Sequence, residues 1–120
     1  MKRVLVIDDA LFMREALKQL LTKSGFQVVG EAGNGRDGVK KYIELSPDLV
    51  TMDITMPDMT GVEALKEIKS YDPNARVVMV TALGHELMVK EAVLCGAKSF
   101  VVKPFKPEHL VQTLSKVAAS

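Results

Sequence analysis

Two aliphatic runs in this chain stop on acid. Val4-Leu5-Val6-Ile7 is followed at once by Asp8-Asp9, and Leu49-Val50-Thr51-Met52 by Asp53. Runs without polar alternation belong to strands covered on both faces, as in a parallel sheet held between helical layers. In such open α/β sheets the ligand crevice lies beyond the carboxyl ends of the strands. Carboxylates delivered there from two strands crowd like charge together. Two of them about 4 Å apart repel by roughly 4 kcal/mol at an effective dielectric near 20. Something must offset that repulsion, and a hard divalent cation with oxygen ligands is the natural candidate.

The rest of the chain supplies the sheet and its covering. Strands are expected at Arg3–Ile7, Gln27–Glu31, Leu49–Met52, Arg76–Val80 and Ser99–Val102. Five amphipathic stripes alternate with them. Met13, Ala16, Leu17, Leu20 and Leu21 form the first, ended by Ser24-Gly25. Val39, Tyr42 and Ile43 form the second. Thr60-Gly61-Val62-Glu63 reads as a capping box ahead of Leu65 and Ile68. Met88, Val89, Ala92 and Val93 form the fourth, and Leu110, Val111, Leu114 and Val117, opened by Pro107, the fifth. Five such units predict an α/β fold: a single-domain, doubly wound, five-stranded parallel sheet with five helices and right-handed crossovers. The strand at Gln27–Glu31 is the most polar and contains Gly30, which places it at an edge. The length of 120 residues suits one domain over 1–120. A net charge of +1 gives no field that draws the chain to nucleic acid or to a membrane. Met1-Lys2-Arg3 leads straight into a strand, no apolar run reaches the roughly 20 residues of a bilayer span, and Cys95 is the only cysteine. The expectation is a cytoplasmic monomer.

Further residues join the acidic cluster because they also follow strands. Thr55 lies two past Asp53, Thr81 follows Val77–Val80, and Lys103-Pro104 follows Phe100–Val102. Chemistry suggests a division of labour. Asp8 and Asp9 hold Mg²⁺, which takes oxygen ligands and keeps waters that a phosphate can displace. Asp53 is the nucleophile, since a carboxylate attacking phosphorus gives an acyl phosphate. Lys103 and the Thr81 hydroxyl bind phosphoryl oxygens. Plainer roles compete for each residue: Asp9 suits a helix N-cap, Thr81 a turn, and Lys103 a solvated surface. Phe12, Met13, Met56 and Met59 are expected to pack, Lys40-Lys41 to face solvent, and His85 and His109 to bind no metal. Leu83, Leu87 and Leu94 leave part of the fourth helix apolar on its outer side, either as scatter or as a docking patch.

The motifs Ile7-Asp8-Asp9, Met52-Asp53-Ile54-Thr55-Met56-Pro57, Val80-Thr81-Ala82, Gly96-Ala97 and Val102-Lys103-Pro104-Phe105 stand in one order across nearly the whole chain. Together they resemble the bacterial response-regulator receiver domain, and within it the stand-alone chemotaxis regulators. The resemblance implies a flavodoxin-like strand order of 2-1-3-4-5 and a signalling switch rather than an enzyme with a small-molecule substrate. It implies that Asp53 accepts a phosphoryl group from a sensor histidine kinase. Mg²⁺ is then held by Asp9, Asp53 and the Thr55 backbone carbonyl, and through water by Asp8. Thr81 moves toward the phosphoryl group, Phe100 turns inward behind it, and the face of the fourth helix, fifth strand and fifth helix meets partners. Those implied partners are a flagellar motor switch protein and a phosphatase. The family also implies a cis Lys103–Pro104 bond, against only about 5–6% for X–Pro bonds at large.

Some features depart from the commonest family pattern. Phe100 lacks a phenolic hydroxyl, so it packs without hydrogen bonding. Leu83 and Thr55 occupy positions that tune dephosphorylation, and an apolar Leu83 is expected to limit water access. Loss of any effect of Leu83→Glu on phosphoryl lifetime would remove that expectation. A phosphorelay shuttle that passes its phosphoryl group to a histidine phosphotransfer protein is the nearest alternative. Haloacid-dehalogenase phosphatases expect a second acid where Thr55 stands, a flavodoxin needs a hydroxyl-rich loop where Asp8-Asp9 stands, and a non-phosphorylated module needs no such intact set.

Overall fold

The computed structural model describes residues 1–120. Strands and helices alternate strictly. They are β1 (Arg3–Ile7), α1 (Leu11–Lys23), β2 (Gln27–Ala32), α2 (Gly35–Leu45), β3 (Leu49–Asp53), α3 (Gly61–Tyr71), β4 (Val77–Ala82), α4 (Glu86–Leu94), β5 (Ser99–Lys103) and α5 (Pro107–Ala119). The sheet is parallel with order β2-β1-β3-β4-β5, so the polar Gln27 strand is at an edge, as its composition predicts.

Alternation along each strand sends neighbouring side chains to opposite faces and builds two cores. Leu5, Ile7, Val50, Met52, Val77 and Met79 pack beneath α2, α3 and α4. Val4, Val6, Leu49, Val78 and Val101 pack with Leu17, Leu21, Leu110 and Leu114 of α1 and α5. The punctuation follows the sequence closely. Gly25 takes φ +91° just past α1, Thr60 and Glu63 form the capping box of α3, and Pro107 opens α5.

Four expectations need correction. β2, β3, β4 and β5 each end later than their aliphatic runs, so Asp53, Thr81 and Lys103 are ladder residues rather than loop residues. Phe12 does not pack: it is 83% exposed at the start of α1, while Met13, Met56 and Met59 pack against the core. Lys41 is half-buried and donates to the Glu31 carbonyl, because α2 crosses the end of β2 there. Ala10, with no side-chain capping bond, occupies the N-cap of α1, so Asp9 is free of that duty.

Candidate functional site

Parallel register sets the geometry. Ile7 pairs with Met52 and Asp53 with Val80, so the acids that follow or end β1 and β3 emerge side by side. Asp8 is 1% exposed and Asp53 6%, whereas Asp9 is open to solvent. One carboxylate oxygen from each of the three lies within 4.8 Å of the others. Asp8 uses its other acceptor capacity locally, taking the Ala10 amide at 2.9 Å.

One ammonium answers these charges. Lys103 ends β5, beside Ala82, and its Nζ stands 3.2 Å from Asp8 Oδ2 and 3.6 Å from Asp53 Oδ1. The Lys103–Pro104 bond is cis. One positive charge against three carboxylates leaves the cluster short of cation. Burial, then the charge of Asp8, pushes the Asp53 carboxyl from 3.8 up to about 6, with Lys103 pulling the other way and Asp9 adding to the rise. The donors are all hard oxygens, two of the three carboxylates are buried, and charge is uncompensated. That set fits Mg²⁺, which is held by one or two carboxylates plus waters and phosphate oxygens.

None of the other expected residues hydrogen-bonds to this cluster. Thr81 is 2% exposed, and its hydroxyl donates to the Ala82 carbonyl at 3.2 Å and lies 3.4 Å from His85 Nδ1. Thr55 is exposed in the loop between β3 and α3. Phe100 is 44% exposed and lines a groove of about 410 Å³ with Thr81, His85, Val89 and Val102. The groove is largely apolar, and Leu83, Leu87 and Leu94 stand out from its α4 side at 79%, 84% and 78% exposure.

Two supporting residues escape the sequence reading. Arg14 of α1 donates to the Asp8 carbonyl at 2.7 Å and to Glu31 at 2.9 Å, bracing the turn that carries the acids against β2. Asp58 ties the β3–α3 loop to α2. Both act across gaps in sequence that no periodicity signals.

The model of the response regulator receiver domain matches residues 4–115. The chain belongs to the response regulator receiver family. This receiver domain is 56% identical to chemotaxis protein CheY of Thermotoga maritima over 117 residues, covering 98% of each chain. It is 54% identical to chemotaxis protein CheY of Bacillus subtilis, over 95% of each. Among solved structures, the CheX-CheY-BeF3-Mg+2 complex of Borrelia burgdorferi aligns with a TM-score of 0.92 and 41% identity. That alignment covers 97% of this receiver domain and 88% of that chain. The observed strand order is that of the flavodoxin-like fold, in agreement with the family.

Proposed function

We propose that this receiver domain is a phosphorylatable chemotaxis response regulator, a switch whose Asp53 takes a phosphoryl group from a sensor histidine kinase. The observation that carries the reading is the convergence of Asp8, Asp9 and Asp53 within 4.8 Å against a single lysine. Similarity to chemotaxis proteins of Thermotoga maritima and Bacillus subtilis over nearly the whole chain supports the chemotaxis role.

A pKa of about 6 leaves Asp53 mostly ionised at neutral pH yet more basic than an ordinary aspartate, which suits a nucleophile. An Asp53 oxygen bonds to phosphorus as the bond from phosphorus to the kinase histidine breaks, and the imidazole nitrogen leaves with the electron pair. Asp9, Asp53 and the Thr55 carbonyl would hold Mg²⁺, with Asp8 assisting through a bound water. When bound, the ion neutralises charge that builds on the phosphoryl oxygens. Lys103 reaches the same oxygens from the β5 side as a compact charge. Thr81 then gives up Ala82 and His85 for the phosphoryl group, and Phe100 follows into the groove. The new contacts need favour this arrangement by only a few kcal/mol to reverse a minority population.

In this reading the receiver domain works in the cytoplasm as a monomer. Its partners are a chemotaxis-type kinase, a flagellar motor switch protein docked on α4, β5 and α5, and a phosphatase. No helix is long and apolar enough to cross a membrane. Intact-mass measurement after acetyl phosphate and Mg²⁺ tests the chemistry. One added phosphoryl group, absent from Asp53→Ala and absent in chelator, is expected; an unchanged mass refutes it.

A further inference from the structure

Asp58 takes no part in the chemistry above, yet its carboxylate is the most heavily engaged in the loop after β3. Oδ1 accepts the Gly35 amide at 2.9 Å and its neighbour Met59's amide at 2.9 Å, and Oδ2 accepts the Arg36 amide at 2.8 Å. Gly35 and Arg36 open α2, where unpaired amides and the helix dipole favour an anion. The Arg36 and Gly35 amides hold the Asp58 carboxyl below the usual carboxylate range. The helix already has a local cap, because Asn34 Oδ1 accepts the Asp37 amide at 2.8 Å. Asp58 supplies a second acceptor from 22 and 23 residues away, and its effect is to fasten the loop.

Apolar packing reinforces the same joint. A Cβ on Gly35 would fall 2.2 Å from Met59 Cγ, so loop and helix meet at a distance only glycine allows. The far end of the loop is equally fixed. The Gly61 amide donates to the Ile54 carbonyl at 2.5 Å, and a Cβ on Gly61 would fall 2.1 Å from the Asp53 carbonyl oxygen. Thr55, Met56 and Pro57 are strung between these two anchors, with Asp53 at one end and Asp58 at the other.

We infer that Asp58 is a positioning residue for the Mg²⁺ site, holding against α2 the loop that carries Thr55, whose carbonyl the proposed reading assigns to the ion. The inference rests on the proposed reading of the acidic cluster. A carbonyl ligand on an unfastened loop must be ordered when the ion arrives, and that entropy weakens binding; a fastened loop has already lost it. Linkage runs both ways, so Mg²⁺ must in turn steady the start of α2, an element that supplies no ligand.

Calorimetric titration of the full chain with Mg²⁺ alone, beside urea denaturation, tests this. Asp58→Ala is expected to weaken Mg²⁺ binding by about tenfold, the usual cost of losing an outer-shell partner. Asp58→Asn, which keeps an acceptor, should fall between the parent and Asp58→Ala. Gly35→Ala pushes on Met59 from the helix side and should weaken binding in the same direction. With acetyl phosphate, the Mg²⁺ concentration for half-maximal labelling should rise while the rate at saturation holds. In the parent, Mg²⁺ should slow amide exchange at Gly35 and Arg36, a measurement that needs no variant to fold. A purely structural cap predicts lower urea midpoints with unchanged Mg²⁺ affinity and unchanged exchange, and that result overturns the inference alone. A parent that binds no Mg²⁺, or whose binding survives Asp53→Ala, overturns the proposed function instead.

Discussion

Neutralising Asp53 should make the protein more stable, although it destroys the proposed chemistry. Two routes give the size. In the folded chain the carboxyl rises from 3.8 to about 6, and at 1.36 kcal/mol per pKa unit the ionised group costs about 3 kcal/mol. Asp53 is only 6% exposed, so solvent screening takes little off that figure. By Coulomb's law at an effective dielectric near 20, a like charge within 4.8 Å costs at least about 3.5 kcal/mol, and Lys103 at 3.6 Å returns about 4.6 kcal/mol. Lys103 therefore offsets roughly one of the two neighbouring carboxylates, and the other remains as a net cost of similar size. The sign follows from proton linkage. A carboxyl raised in the folded state contributes stability when protonated, fully present below about pH 3.8 and lost as pH climbs through about 6. In EDTA at pH 7.5, Asp53→Asn is expected to gain about 2–3 kcal/mol over the parent, or about 6–12 °C in Tm for a chain of 120 residues. Urea denaturation followed by circular dichroism should show the gap closing near pH 4. Adding Mg²⁺ should also narrow it, because only the parent has the full ligand set. Equal stability at pH 7.5, or a gap indifferent to pH, would refute the electrostatic account of this cluster.

Three further outcomes are expected. Lys103→Met removes the only ammonium paired with Asp8 and Asp53, so in EDTA stability should fall by about 2–3 kcal/mol. Mg²⁺ binding should tighten in that variant, as read by calorimetry, because a competing cation is gone. His85→Ala releases the Thr81 hydroxyl from a partner 3.4 Å away. A contact this long is worth at most about 1 kcal/mol, so binding of beryllofluoride, a phosphoryl mimic, measured by titration, should tighten by up to roughly fivefold. Thr51→Val replaces a buried hydroxyl that has no hydrogen-bond partner, and should raise stability by about 1 kcal/mol in urea at any pH from 5 to 8.

The parts of the fold written in local chemistry are legible in the sequence. Aliphatic runs, glycine and proline punctuation and one capping box located all ten elements, because each depends on residues within a turn or a strand of one another. Four of the five strands run on past their aliphatic runs at the carboxyl end. Polar residues at the end of an apolar run read as loop, yet Asp53, Thr81 and Lys103 are all held in the ladder. Phe12 failed for the converse reason: an aromatic beside a helical stripe reads as core, and nothing local reveals that it faces away. Arg14 and Asp58 leave little trace in the sequence, because Arg14 pairs with Glu31 17 residues away and both residues also bond backbone groups, which residue identity does not reveal.

Departures from the local rules concentrate at the site for a physical reason. A chain selected only for stability would not bury Asp8 and Asp53 together, nor leave Thr81 to share a weak contact with His85 at the rim of an open groove. Each feature costs folding free energy, and the two cores on either side of the sheet are what tolerate that cost. In the proposed reading, uncompensated charge makes cation and phosphoryl binding favourable, and the loosely held Thr81 and exposed Phe100 allow that binding to reach the surface. The same imbalance explains why local rules describe the scaffold and lapse around the carboxylates. A cluster satisfied internally would be easier to read and would have nothing left with which to respond.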